Sequence, residues 1–508
     1  MRLMAFIAAL LLLVSPAIAA PSAIATWRYE TASDARVVSG RQNVALPVDT
    51  GRERYSTDPG IDKTILLAEI AKGVRGHLAQ YKASCPWPVR ENRETTCSSV
   101  SRNRIAEALR QDINRWNTRA LANRWTYSDQ KLMEVLDLLR TLATNIAANS
   151  RPEPVTRLWA GSPGILAYVG VSGGLAVTGG GAQDFGFFRK LVLDGRVPDT
   201  NALTVEGFLR EFQLPLHAAP RCAALVCVNP AIAIDPEQNR LYVQLGMNSS
   251  ANEATFKRRP QNLAIVLDIS GSMSATDGTE KSRLEWAKDA LEKTVRKLDA
   301  RDLLSIVVFD TNSEILRRPS PVSNPEPIIT MVRRLSTRDT TNLEAGLRDG
   351  YALASENVDR LPGYEHRVIL ISDAGLNTGV TDPASILRLV TDYGSRRIGL
   401  TALGLGENFK QDFIHGITNS RGGNYLFVHS GKDMLRYFDA FDYLVTPVAY
   451  NFRVWLEVSG IQAKLIAAYG VPTESGMQPV RAMIDLPTLF FSETGGAILL
   501  EYDIGTTR

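Results

Sequence analysis

The chain carries no surplus of charge of either sign. Its 57 basic and 54 acidic residues leave a formal net charge of +3. No long basic run is present to track a phosphate backbone, so nucleic acid is not an expected partner. Histidine is scarce. The five residues His77, His217, His366, His415 and His429 include no His-Glu-x-x-His pair, so hydrolysis at a catalytic zinc has no ligand set to rest on. Ser270 and Ser272 have no base beside them in sequence, and no enzymatic activity is expected. The four cysteines, Cys85 with Cys97 and Cys222 with Cys227, match no zinc spacing. Three pairings are open to them, and the local one, giving two short-loop disulfides, is the simplest in an oxidising compartment.

Long apolar runs are also missing. The first twenty residues have Arg2, an uncharged run from Leu3 to Val14, then Ser15-Pro16 and Ala17-Ile18-Ala19, the layout of a cleaved secretory signal over 1–19. That run is short for a membrane anchor. No cysteine follows the cleavage region, so lipid attachment is not expected and the product is read as soluble, periplasmic or secreted. Residues 158–183 are uncharged, yet Pro163 and Gly179-Gly180-Gly181 interrupt them. A span must satisfy every backbone polar group internally, so glycine-punctuated strands are expected there and no transmembrane span after signal removal.

What is present is a multidomain, globular composition: 508 residues, 44% hydrophobic and 22% charged, or roughly three or four domains. Residues 20–60 are polar and turn-rich and read as an extended arm or linker. From 61 to 150, Ile65, Leu66, Ile70, Val74 and Leu78 recur at helical spacing. So do Ile105, Leu109, Ile113 and Trp116, and then Leu132, Val135, Leu136, Leu139 and Leu142, which makes an N-terminal helical domain. Trp116 and Trp125 could line a partner groove, but at this spacing they read as core. A mixed β region follows over 151–258, with helices from Asp184 through Leu193 and from Val205 to Phe212 and strands within 222–249.

From 259 to 446 the pattern becomes strands at 263–268, 303–309, 368–373, 398–405 and 424–429. Helices are expected at 282–298, 326–335, 342–357, 383–393, 408–419 and 432–444. Continuous apolar strands between amphipathic helices predict an α/β doubly wound, Rossmann-like domain with helices on both faces. Strand patterns resume over 447–508. This C-terminal β region can pair with 220–258 into one β-sandwich that the α/β domain interrupts.

One pentapeptide stands out. Asp268-Ile-Ser270-Gly271-Ser272 ends the first of these strands and offers a carboxylate and two hydroxyls. Such oxygen donors suit a hard divalent cation, Mg²⁺ first, with Mn²⁺ or Ca²⁺ as alternatives. In an open doubly wound sheet, ligands sit outside the carboxyl ends of the strands. Asp373 ends a strand that would neighbour the first, and Asp339-Thr340-Thr341-Asn342-Leu343-Glu344 opens a helix at which a threonine hydroxyl can be presented.

The strand into Asp-x-Ser-x-Ser, the later threonine, the distant Asp373 and Leu403-Gly-Leu-Gly406 together resemble the metal-ion-dependent adhesion site of von Willebrand factor type A domains. The resemblance covers 262 to about 444. It implies that Ser270, Ser272 and Thr341 bind the cation directly while Asp268 and Asp373 act mostly through waters and hydrogen bonds. Thr341 is preferred to Thr340 because Asn342 and Leu343 follow it as in the family. Neutral hydroxyls leave the cation under-neutralised, so a carboxylate oxygen of a protein partner, from an exposed Asp or Glu, would be its sixth ligand. Partner contacts are expected around Gly271, Met273, Asn342 and Ala374. Outside this domain, Phe187 to Pro198 and Val205 to Phe212 look like the segment preceding such a domain in a family of bacterial exported proteins, in which a β region also follows. Two further roles stay in view: a scaffold whose site holds only water, and an accessory regulator of a membrane channel or transport complex, since calcium-activated channel-associated proteins share the domain. Oligomeric state is not readable.

Overall fold

The computed structural model describes residues 23–33, 36–46, 55–56, 59–85, 98–123, 130–148, 174–176, 185–203, 205–210, 212, 214, 226–248, 258–277, 279–338, 340–373, 382–405, 420–428, 441–459, 462–469, 481–492 and 497–505. The expected signal segment 1–19, Trp125, most of 158–183, Cys97, Cys222, the helix candidate 408–419 and residues 432–440 lie outside the described residues.

In chain order the elements before the α/β domain are β1 (Ala23–Ser33), β2 (Arg36–Leu46), β3 (Tyr55–Ser56), α1 (Pro59–Ser84), α2 (Ser99–Ala122), α3 (Gln130–Ala148), β4 (Gly174–Ala176), α4 (Phe185–Leu193), α5 (Val205–Arg210), β5 (Cys227–Asp235) and β6 (Arg240–Asn248). The α/β domain holds β7 (Gln261–Asp268), α6 (Arg283–Lys297), β8 (Leu303–Phe309), β9 (Ser313–Pro321), α7 (Glu326–Arg333), α8 (Leu343–Ser355), β10 (Glu365–Ser372), α9 (Pro383–Ser395), β11 (Ile398–Leu405), β12 (Asn424–Val428) and α10 (Phe441–Val445). Strands β13 (Ala449–Ser459), β14 (Lys464–Tyr469), β15 (Arg481–Ser492) and β16 (Ala497–Asp503) complete the described chain.

The apolar residues spaced along α1, α2 and α3 meet in one core, with Trp116 4% exposed inside it. Phe185, Phe188, Phe208 and Phe212 of the α4–α5 segment join that same core, with Phe185 and Phe208 ring centroids 5.3 Å apart. Asn145 of α3 donates through Nδ2 to the Val192 carbonyl at 2.7 Å and so caps the end of α4. The boundary expected at 150 is thus corrected. Helices of nine and six residues are too short to bury four phenylalanines alone, so they complete the helical layer rather than a separate β region.

Strands on either side of the α/β domain pair with one another. Across the domain β16 runs antiparallel to β6 and β13 to β1, and β13 also pairs with β15. Period-2 alternation assigns the faces. Leu241, Val243 and Leu245 of β6, with Ile498 and Leu500 of β16, share a core with Val454 and Leu456 of β13 and Ile484 and Leu486 of β15. Tyr242, Ala233 and Leu499 point the other way, onto the helices. The result is three layers: helices, one sheet layer, and a second sheet layer. The expectation of an arm or linker over 20–60 is also corrected, because β1 pairs with β2 and with β13 along its length. In sequence only Trp27-Arg28-Tyr29-Glu30 alternates cleanly. The register rests on main-chain hydrogen bonds, which leave no mark on composition.

The six-stranded sheet of the α/β domain has the order β12-β11-β10-β7-β8-β9. All neighbours are parallel except β9, which runs antiparallel to β8 at the edge. Leu263, Ile265 and Leu267 of β7 face α6 and α7, whereas Ala264 and Val266 face α8 and α9. The close approach of α8 needs Gly350, where an added Cβ would lie 2.3 Å from Val266 Cγ2. Strand β9, Ser-Glu-Ile-Leu-Arg-Arg-Pro-Ser-Pro, is absent from the predicted elements. Its residues are half-buried or exposed, and charge and proline, the usual guards of a sheet edge, hide its strand character.

Candidate metal centre

Three parallel strands end side by side. Asp268 at the end of β7 lies opposite Phe309 of β8, and Leu267 lies opposite Ile371 of β10. This places Asp268, Asp310 and Asp373 at one edge of the sheet. The Ile269 amide donates to the Phe309 carbonyl at 3.0 Å, which extends the pairing past β7. The chain then turns through the short 3₁₀ segment Gly271–Ser274. Both Asp268 oxygens are engaged. Oδ1 accepts from the Ser270 amide at 2.8 Å, and Oδ2 accepts from Ser372 Oγ at 2.6 Å.

Asp268, Ser270, Thr341 and Asp373 are 0%, 1%, 1% and 5% exposed, while Ser272 lies at the surface. Ser270 Oγ and Ser272 Oγ stand 3.1 Å apart. Adjacent ligands of an octahedral Mg²⁺ are about 2.9 Å apart, given metal–oxygen bonds of about 2.0–2.1 Å. The two threonines are distinguished by their surroundings. Thr340 is exposed and its hydroxyl pairs with that of Thr311 at 2.8 Å. Thr341 is held in the short run between the Arg338 amide, which donates to the Ile269 carbonyl at 2.7 Å, and the Asn342 amide, which donates to the Asp310 carbonyl at 2.6 Å. Its loop is thereby laid across the ends of β7 and β8. The hydroxyls of Ser270, Ser272 and Thr341 and the carboxylates of Asp268 and Asp373 are donor types that suit a hard cation.

The expected partner contacts fare differently. Gly271 is half-buried beside the serines. Met273 is 0% exposed and belongs to the core with Leu267 and Leu284, so its expected place among the contacts is corrected: the turn folds it inward as an apolar anchor. Asn342 caps α8, accepting from the Ala345 amide at 3.2 Å and donating to the Thr311 carbonyl at 3.2 Å. Ala374 lies outside the described residues.

Two residues that bond to the candidate ligands are absent from those expected. Ser372 orients Asp268. The signal for it was a hydroxyl at the last position of the apolar run Val368-Ile-Leu-Ile. Arg283, 8% exposed, donates through Nη1 to Asp373 Oδ2 at 2.8 Å and to the Ser272 carbonyl at 3.3 Å. It occupies the first position of α6, after the N-cap Ser282 whose hydroxyl accepts from the Glu285 amide at 3.2 Å. A cation at a helix N-terminus opposes the helix dipole, which marks the position as unusual.

Burial, reinforced by the charge of Asp373, pushes the Asp268 carboxyl up to about 6, against the lowering effect of hydrogen bonds from Ser270 and Ser372. The folded value lies above the unfolded one, so the folded state holds this proton more firmly. Its contribution to stability is present below about pH 4 and is lost as pH rises through about 6. In EDTA, moving from about pH 5 to about pH 7.5 is expected to cost about 1 kcal/mol through this group. Urea unfolding of the wild type and Asp268→Asn at both pH values checks this. An equal pH response in the two proteins would refute it.

Residues 263–376 match the family model of the von Willebrand factor type A domain. An uncharacterized protein of Synechocystis sp. is 30% identical over 185 residues, covering 36% of this chain and 41% of the other. Inter-alpha-trypsin inhibitor heavy chain H1 of Sus scrofa is 26% identical over 210 residues, covering 40% of this chain and 23% of the other. The chain therefore spans less than half the length of these relatives. Among solved structures, the von Willebrand factor type A protein of Catenulispora acidiphila is similar at a TM-score of 0.36 and 12% identity, covering 57% of this chain and 67% of the other.

Proposed function

We propose that this von Willebrand factor type A domain protein is an exported interaction module that takes up an Asp or Glu carboxylate of a protein partner at a divalent cation. Ser270, Ser272 and Thr341 are the direct ligands, with Asp268 and Asp373 acting through water and hydrogen bonds. Mg²⁺ is the first choice, with Mn²⁺ or Ca²⁺ as alternatives. When bound, the cation supplies a positive coordination position for an incoming carboxylate oxygen.

The observation that carries this reading is the division of labour among the donors. Both Asp268 oxygens already accept hydrogen bonds, and Asp373 is paired with Arg283. The serine hydroxyls, 3.1 Å apart, and the hydroxyl of the buried Thr341 are the neutral donors this reading gives to the ion. A mostly neutral ligand shell suits capture of a partner's charge better than a closed, carboxylate-rich cage does. Among the described residues, no helix is long and apolar enough to cross a membrane.

The two threonines give the test at the site. Thr341→Ala is expected to weaken Mn²⁺ binding by about 10–100-fold, and Thr340→Ala to leave it within about twofold. The reverse order would assign the ligand to Thr340. For the function, crosslinked partners recovered from the exported fraction in Mg²⁺ should be lost in EDTA. Recovery unaffected by EDTA would refute metal-dependent capture.

A further inference from the structure

The centre contains a cation of its own. Besides its bonds to Asp373 and the Ser272 carbonyl, Arg283 grips Asp277 with two hydrogen bonds, Nε to Oδ2 at 2.7 Å and Nη2 to Oδ1 at 2.7 Å. The guanidinium thus stands between two carboxylates. Asp373 is 5% exposed on the side of the proposed ion, and the Asp277 side chain is 20% exposed on the other. The backbone reinforces this arrangement, because the Arg283 amide donates to the Ala275 carbonyl at 2.9 Å and closes the loop that carries Asp277. A planar fork with donors on several edges can bridge two carboxylates in this way, and an ammonium cannot reproduce it.

Charge bookkeeping follows from these contacts. Asp268 and Asp373 together carry the charge that would cancel a divalent cation, which would leave little attraction for a third carboxylate from a partner. Arg283 takes up part of the charge of Asp373. Asp277 in turn draws on the same guanidinium from the far side and moderates its effect. We propose that the Asp277–Arg283 pair sets the charge of the metal centre, weakening the hold on the cation and strengthening the pull of the bound cation on an incoming carboxylate. This rests on the reading that a cation is held by Ser270, Ser272 and Thr341. Arg283 is here a positioning and charge-setting residue, not a ligand.

The two members of the pair then act with opposite signs. Arg283→Met removes the competing positive charge, so Mn²⁺ is expected to bind about tenfold more tightly and acetate to bind the Mn²⁺-loaded chain more weakly. Asp277→Asn leaves the guanidinium wholly to Asp373, so Mn²⁺ should bind about fivefold more weakly and acetate more strongly. Arg283→Lys retains the charge and should stay closer to the wild type than Arg283→Met does. Free Mn²⁺ is read by electron paramagnetic resonance on the full chain. Acetate binding is read from the relaxation of water protons by bound Mn²⁺, with circular dichroism confirming that each variant is folded.

A merely structural role for the pair would weaken Mn²⁺ binding in both Arg283→Met and Asp277→Asn. That result, or no change in either, overturns the proposal while leaving the metal reading standing. Failure of the wild type to bind Mn²⁺ overturns both. Should Arg283→Met not fold, the ordering of wild type, Asp277→Asn and Arg283→Lys still decides, because Asp277→Asn must be the weakest of the three for Mn²⁺.

Discussion

Replacing Arg367 with methionine is expected to destabilise the chain by about 3–5 kcal/mol while leaving the ion affinity of the folded molecules unchanged. Arg367 is 0% exposed, near the start of β10 and so at the end of the sheet away from Asp373. Its Nε donates to the Val445 carbonyl at 2.9 Å, and its Nη1 to the Gly422 carbonyl at 2.7 Å and to Thr401 Oγ1 at 3.1 Å. Nη2 pairs with Glu365 at 3.2 Å, and Glu365 also accepts from the Tyr450 hydroxyl at 2.6 Å. The guanidinium lies over the Phe490 ring at 5.3 Å. The Arg367–Glu365 pair therefore ties β10, β11 and the end of α10 to strands β13 and β15 of the sandwich. The room for it comes from Gly399, where an added Cβ would meet the guanidinium at 2.8 Å.

Methionine fills much of the same volume but takes the guanidinium donor from the Val445 carbonyl, leaves the Gly422 carbonyl with the Leu400 amide at 3.2 Å, and leaves the buried Glu365 carboxylate with the Tyr450 hydroxyl but no facing cation. The cost is the desolvation of those groups, more than the loss of any attraction. A double variant, Glu365→Gln with Arg367→Met, should lose less than the sum of its parts because the stranded charge is gone. Urea unfolding measures this. A loss below about 1 kcal/mol in Arg367→Met would show that the network is not what joins the α/β domain to the sandwich.

The opposite pattern is expected of Asp268→Ala combined with Ser270→Ala: Mg²⁺ affinity falls by more than about 100-fold, with the fold retained. The fold should survive because the removed groups bond chiefly to each other's loop and to Ser372, and because the apolar residues of β7, Leu263 to Leu267, are 0% exposed and untouched. Removing the Asp268 charge also relieves a carboxylate that burial and Asp373 already disfavour. Partner capture should fall together with Mg²⁺ affinity. A double variant that kept its affinity for Mg²⁺ would place the ion elsewhere.

These two variants separate what the sequence could and could not disclose. The α/β domain was legible because its central strands are buried on both faces. Residues 261–268, 365–372 and 398–405 carry unbroken burial, which appears in sequence as apolar runs between helical periods. Its antiparallel edge β9 was not legible, since exposure and proline remove that signal. The β1–β2 strands leave no such signal, because main-chain pairing tolerates polar side chains. The α4–α5 helices, expected within a mixed β region, pack on the helical core instead, because period shows that a face is buried and says nothing of what covers it.

At the site, Asp268, Ser270, Ser272 and Asp373 could be named because strand ends and turns concentrate polar residues at fixed positions. Arg283 and Ser372 could not. Their roles depend on contacts between residues 90 and 104 positions apart, a distance that no local pattern encodes. Met273 departs from expectation for a related reason, since its neighbours in the turn are polar while its own side chain goes inward.

Calorimetric titration of the full chain with Mg²⁺ tests the centre most directly, with the Asp268→Ala, Ser270→Ala double variant titrated beside it. One ion per wild-type chain, absent from the folded double variant, is the expected result. A wild type that binds no Mg²⁺ or Mn²⁺ at millimolar concentration, or a folded double variant that binds as the wild type does, would contradict the assignment of a cation to these residues.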